Sequence, residues 1–472
     1  MASWLLGTGI MLIHVLGMIS AVMALMSSRT SQGAVAWIIS LLTFPYAAVP
    51  AYWLFGRPRF YGYVTARGAR DSVLRRVLVR YRHNVKPHVA ISDNTDIQAV
   101  EQLAMMPLTK GNSTELLIDG DATFDSLFAG INQAQDYLLI QFFIVRDDEL
   151  GRQLQQHLIA AVKRGVRVYF LYDEIGSRKL NDGYLNELST SGAEVTPFRS
   201  SRGLKHRFQL NFRNHRKIAV VDGKQGWIGG FNVGNEYLGK SAKHGPWRDT
   251  HLKVQGPCVL GLQEASWEDW HWATGDVITL NWHAESHPQQ DQQVVIVPSG
   301  PADKQDTAGL LVQQLIHSAN QRFWVTSPYF VPDQSVQDSL RLAAMRGVDV
   351  RVMIPERPDH LLVFLSAFSF LPDMLKAGVK IYRYQPGFLH QKVMLVDHSS
   401  ATVGTVNLDN RSFRLNFEIT AFIPSADFAN DVATMLEADF SKCRRVTLDE
   451  VSQRPMWKKV VSRAAYLMAP VQ

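Results

Sequence analysis

The sequence predicts an α/β protein: two tandem α/β/α repeats packed about a pseudo-two-fold axis, preceded by an N-terminal two-helix transmembrane hairpin. Three observations predict it. Two uncharged apolar runs stand in tandem at the N-terminus. A strand–helix–strand order then occurs twice, and one short motif sits at the same place in each copy. A chain of 472 residues has room for about three folding units. Its mean hydropathy of −0.08 excludes a chain that crosses a membrane many times. With 46% hydrophobic residues it is not a disordered chain either. Two cysteines, Cys258 and Cys443, supply neither a disulfide framework nor a four-thiolate zinc site.

The hairpin comes first, over residues 1–56. The runs Trp4–Met26 and Gly33–Phe55 are each 23 residues without a charge. A hydrocarbon core of about 30 Å needs about 20 apolar residues in a helix, so each is long enough to span. The expected spans are about 4–26 and 33–55, the second kinked by Pro45 and Pro50. A cleaved signal peptide over residues 1–26 is the alternative. Met1-Ala2-Ser3 lacks the positive charge of such a leader, and a second span follows at once.

Residues 57–110 form a basic juxtamembrane segment. Over residues 57–86 stand Arg57, Arg59, Arg67, Arg70, Arg75, Arg76, Arg80, Arg82 and Lys86 against the lone Asp71, whereas the loop between the spans carries only Arg29. Positive-inside bias places everything after the hairpin in the cytoplasm. The same stretch, with Trp53, Phe60, Tyr61 and Tyr63 beside it, suits an anionic membrane surface. A basic cluster could also serve nucleic acid, but its place directly beside a span favours lipid.

The first repeat, residues 111–283, reads as strand 136–145, a helix near 150–163 and strand 165–172. The second, 307–450, reads as strand 322–331, helix 335–345 and strand 347–354. The junctions match in wording, Lys163-Arg164-Gly165-Val166 beside Met345-Arg346-Gly347-Val348. Residues 284–306 between them are polar, contain three prolines and are expected to be a linker with one short strand at 294–297.

The chemistry falls in the repeat register. The first copy has His215, Lys217 and Asp222, the second His390, Lys392 and Asp397, each with an Asn at +17, Asn232 and Asn407. Residues i and i+2 of a strand share a face, so each His and Lys point the same way. If the copies pack about a two-fold axis, one pocket receives two imidazoles, two ammonium groups and two carboxamides. Such a set of donors and cations suits the oxygens of a phosphodiester, with Lys217, Asn232, Lys392 and Asn407 as phosphate-binding groups. One imidazole can attack phosphorus while the other protonates the departing alkoxide. Each ring needs a carboxylate to orient it, and Asp249 and Glu418 lie downstream in comparable places. Lysine at +2 would repel an ion, so no metal and no cofactor are expected. The motif aspartates Asp222 and Asp397 complete the two catalytic motifs and read more readily as residues that hold turns and strands.

At these residues the sequence resembles the phospholipase D superfamily, which two H-x-K-x4-D motifs define. The stretches Asn211–Lys217, Gly229–Gly239, Trp247–His251, Ser327–Pro332 and Gly404–Glu418 resemble bacterial cardiolipin synthases, as do the N-terminal spans and Pro455-Met-Trp-Lys458. The resemblance implies a fold of two phospholipase D-like repeats in the bacterial inner membrane, with the catalytic part cytoplasmic. It implies a reversible transfer in which two phosphatidylglycerol molecules become cardiolipin and glycerol through a phosphatidyl-histidine. By analogy His215 is the nucleophile and His390 the acid and base. A phospholipase D using water, and an inactive lipid-binding scaffold, are the rival readings; a nuclease is disfavoured by the spans. Two segments bear on lipid access. Residues 361–372 are apolar yet too short to span, either a helix that meets acyl chains or an ordinary core helix. Residues 451–472 contain an amphipathic pattern, with Met456, Trp457, Val460, Val461, Ala464, Leu467 and Met468 on one face, either an interfacial helix or a plain C-terminal packing helix.

Overall fold

The computed structural model describes residues 2–28, 30–56, 63, 72–199, 211–243 and 245–469. Its first helix, Ala2–Ser27, is long and apolar enough to cross a membrane over Leu6–Ser27. The second expected span is not one helix. It divides into Ser31–Thr43 and Pro45–Phe55, because Pro45 has no N–H to donate and forces Phe44 out of helical geometry, to φ −138 and ψ 60. Pro50, by contrast, is carried inside the third helix. Small residues let the helices approach: Ala21 and Ala24 pack with Leu41, Ala48, Val49 and Tyr52. Trp53 Nε1 donates to Ser20 Oγ at 3.0 Å. The outward faces leave Trp4, Met11, Val22 and Leu25 exposed, as suits an apolar surrounding.

The expectations placed on Arg57, Arg59, Phe60, Tyr61, Arg67, Arg70 and Asp71 lie outside the described residues. The helix Ser72–Val85 follows, with Arg80 and Arg82 exposed and Tyr81 and Val85 buried.

Both repeats contribute to one sixteen-stranded sheet. At its seam Thr109–Ile118 pairs antiparallel with Gln292–Ser299, Thr109 opposite Val294. Outward on one side run Thr250–Gln255, Gln225–Gly229, Ile218–Val221, Tyr137–Phe142, Arg167–Asp173 and Glu194–Phe198. On the other run Asn416–Ile423, Ser400–Gly404, Val393–Val396, Arg322–Thr326, Asp349–Pro355 and Lys380–Tyr384, with Cys443–Arg445 added at the edge. The order is the same in both directions from the seam, so the internal repeat of the sequence is a repeat of topology. Strands that alternate with helices pair in parallel, such as Tyr137–Phe142 with Arg167–Asp173, because a crossover helix returns the chain to the same end.

Three local expectations change. Residues 284–306 are not simply a linker: they contain the eight-residue strand Gln292–Ser299, held between Thr109–Ile118 and Asn416–Ile423. Its flanking glutamines, proline and serine had hidden all but four apolar residues. The expected strand 322–331 stops at Thr326, and Phe330–Val331 pairs instead with Leu408–Asp409. The apolar segment 361–372 is two short helices, Leu361–Ala367 and Leu371–Lys376, the second begun by Pro372 at a position where its missing N–H costs nothing. The C-terminal helix Met456–Tyr466 packs on the first of these, and in the turn just after it Ser369 Oγ donates to Ser462 O at 3.0 Å.

Candidate active site

Each H-x-K motif enters the site along a strand of the other repeat. Arg213-Asn214 pairs in parallel with Asn416-Phe417, and His215 N donates to Phe417 O at 2.9 Å. In mirror image, Phe388-Leu389 pairs in parallel with Trp247-Arg248, and His390 N donates to Arg248 O at 2.8 Å. The next residue on each borrowed strand is therefore set beside an imidazole. These residues are Glu418 and Asp249. Nδ1 of His215 lies 2.8 Å from Glu418 Oε2, and Nδ1 of His390 lies 2.6 Å from Asp249 Oδ2. The sequence had singled out both carboxylates, and the structure pairs them crosswise, each with the histidine of the opposite repeat. An ionised carboxylate only accepts, so each Nδ1 carries the proton and each Nε2 keeps its lone pair.

The electrostatics follow from burial. Both histidines, both lysines and both carboxylates are at most 8% exposed. Burial pulls His215 down to about 4 against the opposing pull of Glu418, and Lys217 and Lys392 lower it further. Burial together with Lys392, Lys217 and His215 holds His390 well below its ordinary value. Both imidazoles are neutral at neutral pH. Burial lowers Lys217 to about 7 and Lys392 to about 8, with Glu418 and Asp249 resisting the fall. Asp249 is pushed up to about 6 by burial, although Lys392 opposes the rise. Burial also works against Glu418, but His215 and Lys217 outweigh it and hold that carboxylate below its usual range. Groups of both repeats act on one another throughout, which is the electrostatic signature of one basin rather than two.

Other motif residues fall into distinct places. Lys217 Nζ donates to His215 O at 2.7 Å and stands over the Phe143 ring, while Lys392 Nζ donates to His390 O. Asn232 is engaged in the wall: its Oδ1 accepts from Ile144 N at 3.0 Å and its Nδ2 donates to Tyr237 Oη at 3.1 Å. Asn407 differs, for its Oδ1 is buried with no partner among the described residues. Asp222 and Asp397 sit beyond the far end of their strands, roughly 16 Å along the chain from the lysines. Asp222 accepts from the backbone N–H groups of Gln135, Asp136 and Tyr137 at 2.8–2.9 Å, and Asp397 from those of Asn320, Gln321 and Arg322 at 2.8–3.0 Å. Both adopt positive φ, 54 and 49, a turn conformation that aspartate tolerates. Their geometry is that of turn anchors.

Sequence reasoning missed a supporting layer behind each histidine. Asp269 accepts from Arg216, Asn214, Gln141 and, from the juxtamembrane segment, Tyr63 Oη at 2.9 Å. Its counterpart Asp439 accepts from Arg248 and Gln391. The signal was present as acidic residues on the buried faces of two helices, Glu264, Glu268 and Asp269 in Val259–Thr274 and Asp439 in Ala426–Phe440.

Among known proteins, a family model described as cardiolipin synthase, PLD-like domain, matches residues 127–243 and 312–442, one match in each repeat. A second, described as phospholipase D-nuclease N-terminal, matches residues 9–57. Cardiolipin synthase A of Pseudomonas putida is 44% identical over 465 residues, 98% of this chain and 96% of that protein. The protein of the same name from Pseudomonas aeruginosa is 44% identical over 467 residues, covering 97% and 94%. Among solved structures, phosphatidylserine synthase of Haemophilus influenzae superposes with a TM-score of 0.60 at 14% identity, over 80% of this chain and all of that one, a likeness of fold. With a match in each repeat and relatives aligned over nearly their full length, the chain belongs to the cardiolipin synthase family of phospholipase D-like proteins.

Proposed function

We propose that the chain is a membrane-bound phosphatidyltransferase that converts two phosphatidylglycerol molecules into cardiolipin and glycerol, reversibly. The observation that carries the reading is the crossed arrangement of His215–Glu418 and His390–Asp249 over two buried lysines. In the first step His215 Nε2 attacks phosphorus, a P–N bond forms and the bond to the glycerol oxygen breaks. His390, which takes up a proton at Nε2 as the phosphodiester binds, gives that proton to the departing oxygen. In the second step a hydroxyl of another phosphatidylglycerol passes its proton to His390, attacks phosphorus and releases His215. The empty pocket favours neutral imidazoles. An entering phosphodiester brings negative charge, which raises the affinity of the lysines and of His390 for protons when they are needed. Lys217 and Lys392 neutralise the phosphate oxygens, with Asn407 the carboxamide free to join them. No step needs a metal.

The setting favours lipid as acceptor. Helix Ala2–Ser27 crosses the membrane, and Ser31–Thr43 with Pro45–Phe55 supplies 13 and 11 further residues for a return span. The abundance of arginine after residue 56 puts the catalytic part on the cytoplasmic side of a bacterial inner membrane. On the second repeat, Leu361 and Leu362 are exposed beside Met456, Trp457 and Val460 of the helix packed against them, with Lys458 and Lys459 adjacent. That apolar patch with a basic fringe rests on an anionic bilayer, and nucleic acid is not a partner. An oriented lipid hydroxyl at high local concentration then outcompetes water. The test is purified protein in bilayers of phosphatidylglycerol alone. Cardiolipin and glycerol in equal amounts are expected; phosphatidic acid as the main early product would establish a phospholipase D instead.

A further inference from the structure

The site described so far is rich in cations and donors, which suit phosphate. A glycerol headgroup carries hydroxyl groups that also need acceptors. Five carboxylates exert their charge on the lysines and imidazoles: Glu418, Asp249, Asp173, Asp409 and Asp359. Four are committed. Glu418 and Asp249 hold the imidazoles. Asp173 accepts from the backbone N–H groups of Ile175, Gly176 and Asn214. Asp409 caps a helical turn at Ser412 N, 2.6 Å away.

Asp359 is different. Its carboxylate meets side chains only, Tyr329 Oη at 2.7 Å and, more loosely, His360 Nε2 at 3.6 Å. Its side chain keeps 21% of its exposure and lines a cleft with Pro328, Tyr329, Phe330, His360 and Val363. The cleft borders the reacting centre. Ser327 Oγ accepts from Leu408 N at 3.0 Å, and Phe330 pairs with Leu408, so the segment that carries Tyr329 lies against the chain directly after Asn407. Immediately after His360 the helix Leu361–Ala367 begins, with Leu361 65% exposed. A headgroup seated at Asp359 would therefore leave its lipid tails on that apolar helix.

We infer that Asp359 and Tyr329 form the polyol subsite, receiving the hydroxyl that does not react on the glycerol headgroup that accepts the phosphatidyl group. The inference rests on the transferase reading above and deepens it. One hydroxyl of the accepting headgroup passes its proton to His390 and attacks, while its vicinal neighbour donates to Asp359, a contact that a monohydric alcohol does not supply. Tyr329 turns its hydroxyl between Asp359 and the headgroup.

The experiment reads how one intermediate divides between two acceptors. Full-length protein in phosphatidylglycerol bilayers is given 1-propanol, and cardiolipin and phosphatidylpropanol are measured together. Both arise from the same phosphatidyl-enzyme, so their ratio reports acceptor recognition and cancels changes in the first step. Asp359→Asn is expected to lower the cardiolipin-to-phosphatidylpropanol ratio roughly 10- to 100-fold, the worth of hydrogen bonds to a charged group. Tyr329→Phe should lower it in the same direction by less. Wild-type protein alone supplies a second reading: presented with cardiolipin as donor and equal glycerol and 1-propanol, it should prefer glycerol. An unchanged ratio in the folded variants, or no preference in the wild type, overturns the subsite while cardiolipin synthesis stands. Phosphatidic acid as the sole wild-type product overturns the transferase reading and the subsite with it.

Discussion

Replacing Glu418 by Gln keeps the shape of the site and removes one charge, which isolates what the crossed carboxylate does for His215. The phosphatidyl-histidine and its transition state place positive charge on an imidazole whose Nδ1 lies 2.8 Å from Glu418. A unit charge about 5 Å away at an effective dielectric of about 20 contributes roughly 3 kcal/mol, a factor of about 150. The tautomer adds to this. If the Gln amide turns its NH2 toward Nδ1, the proton moves to Nε2 and the nucleophilic lone pair is lost, the kind of loss that in hydrolytic triads reaches about 10⁴. Glu418→Gln is therefore expected to lower kcat/KM by about 10² to 10⁴. The pH profile separates this from simple damage. Asp249 acts when ionised, so activity falls below its value of about 6, and the lysines act when protonated, so it falls above about 7 to 8. Glu418 is the foremost neighbour opposing the fall of Lys217, so its loss moves the alkaline limb to lower pH. The assay is cardiolipin formation across pH 5 to 9, with helical content as a control. A variant within about threefold of wild type, or an alkaline limb that does not move, refutes the reasoning.

His215→Ala and His390→Ala should each abolish turnover; half the activity surviving in either folded variant would mean two sites. With a donor carrying a nitrophenol leaving group, which needs no acid, Asp249→Asn should retain a burst of nitrophenol and Glu418→Gln should lose it, and the reverse outcome exchanges the roles of the two histidines. Trp457→Glu with Val460→Glu should slow synthesis at vesicles far more than on dispersed short-chain lipid, and equal effects on both would remove the C-terminal helix from the membrane. Asp222→Ala strips three backbone N–H groups of their acceptor at a positive φ, so about 1–3 kcal/mol of stability should go, read by denaturant titration, while kcat of the folded protein stays close to wild type.

What could be read in advance follows the range of the interactions. Period-two patterning put His215 with Lys217 and His390 with Lys392 on common faces, and the repeated junction at Gly165 and Gly347 set the two copies in register, since both depend on neighbours in sequence. The break at Phe44 was half legible: proline marked the place, but whether it kinks or ends a helix is decided by what packs there. The strand Gln292–Ser299 was not legible, because a strand at the seam draws its pairing from residues far away and needs only four apolar residues of its own. Asp269 and Asp439 were visible only as acidic residues in buried helices, with nothing local to name their arginine partners.

The crossing of the carboxylates belongs to the same class and has the largest consequence. Glu418 sits beside His215 because Phe417 pairs with Asn214, and Asp249 sits beside His390 because Arg248 pairs with Leu389. Neither pairing can be inferred from spacing within one repeat, where Asp249 is the nearer carboxylate to His215 in sequence. Yet the exchange makes each half of the site incomplete alone: a single repeat would own an imidazole and a lysine but no carboxylate to orient them. Nucleophile and acid are thereby coupled through these two short ladders between the repeats, and a shift of one repeat against the other would disturb both imidazoles at once. Tyr63 Oη donates to Asp269, which holds Arg216 and Asn214 directly behind His215. Tyr63, close in sequence to the apolar N-terminal helices, thus belongs to the hydrogen-bonded framework directly behind the reacting centre.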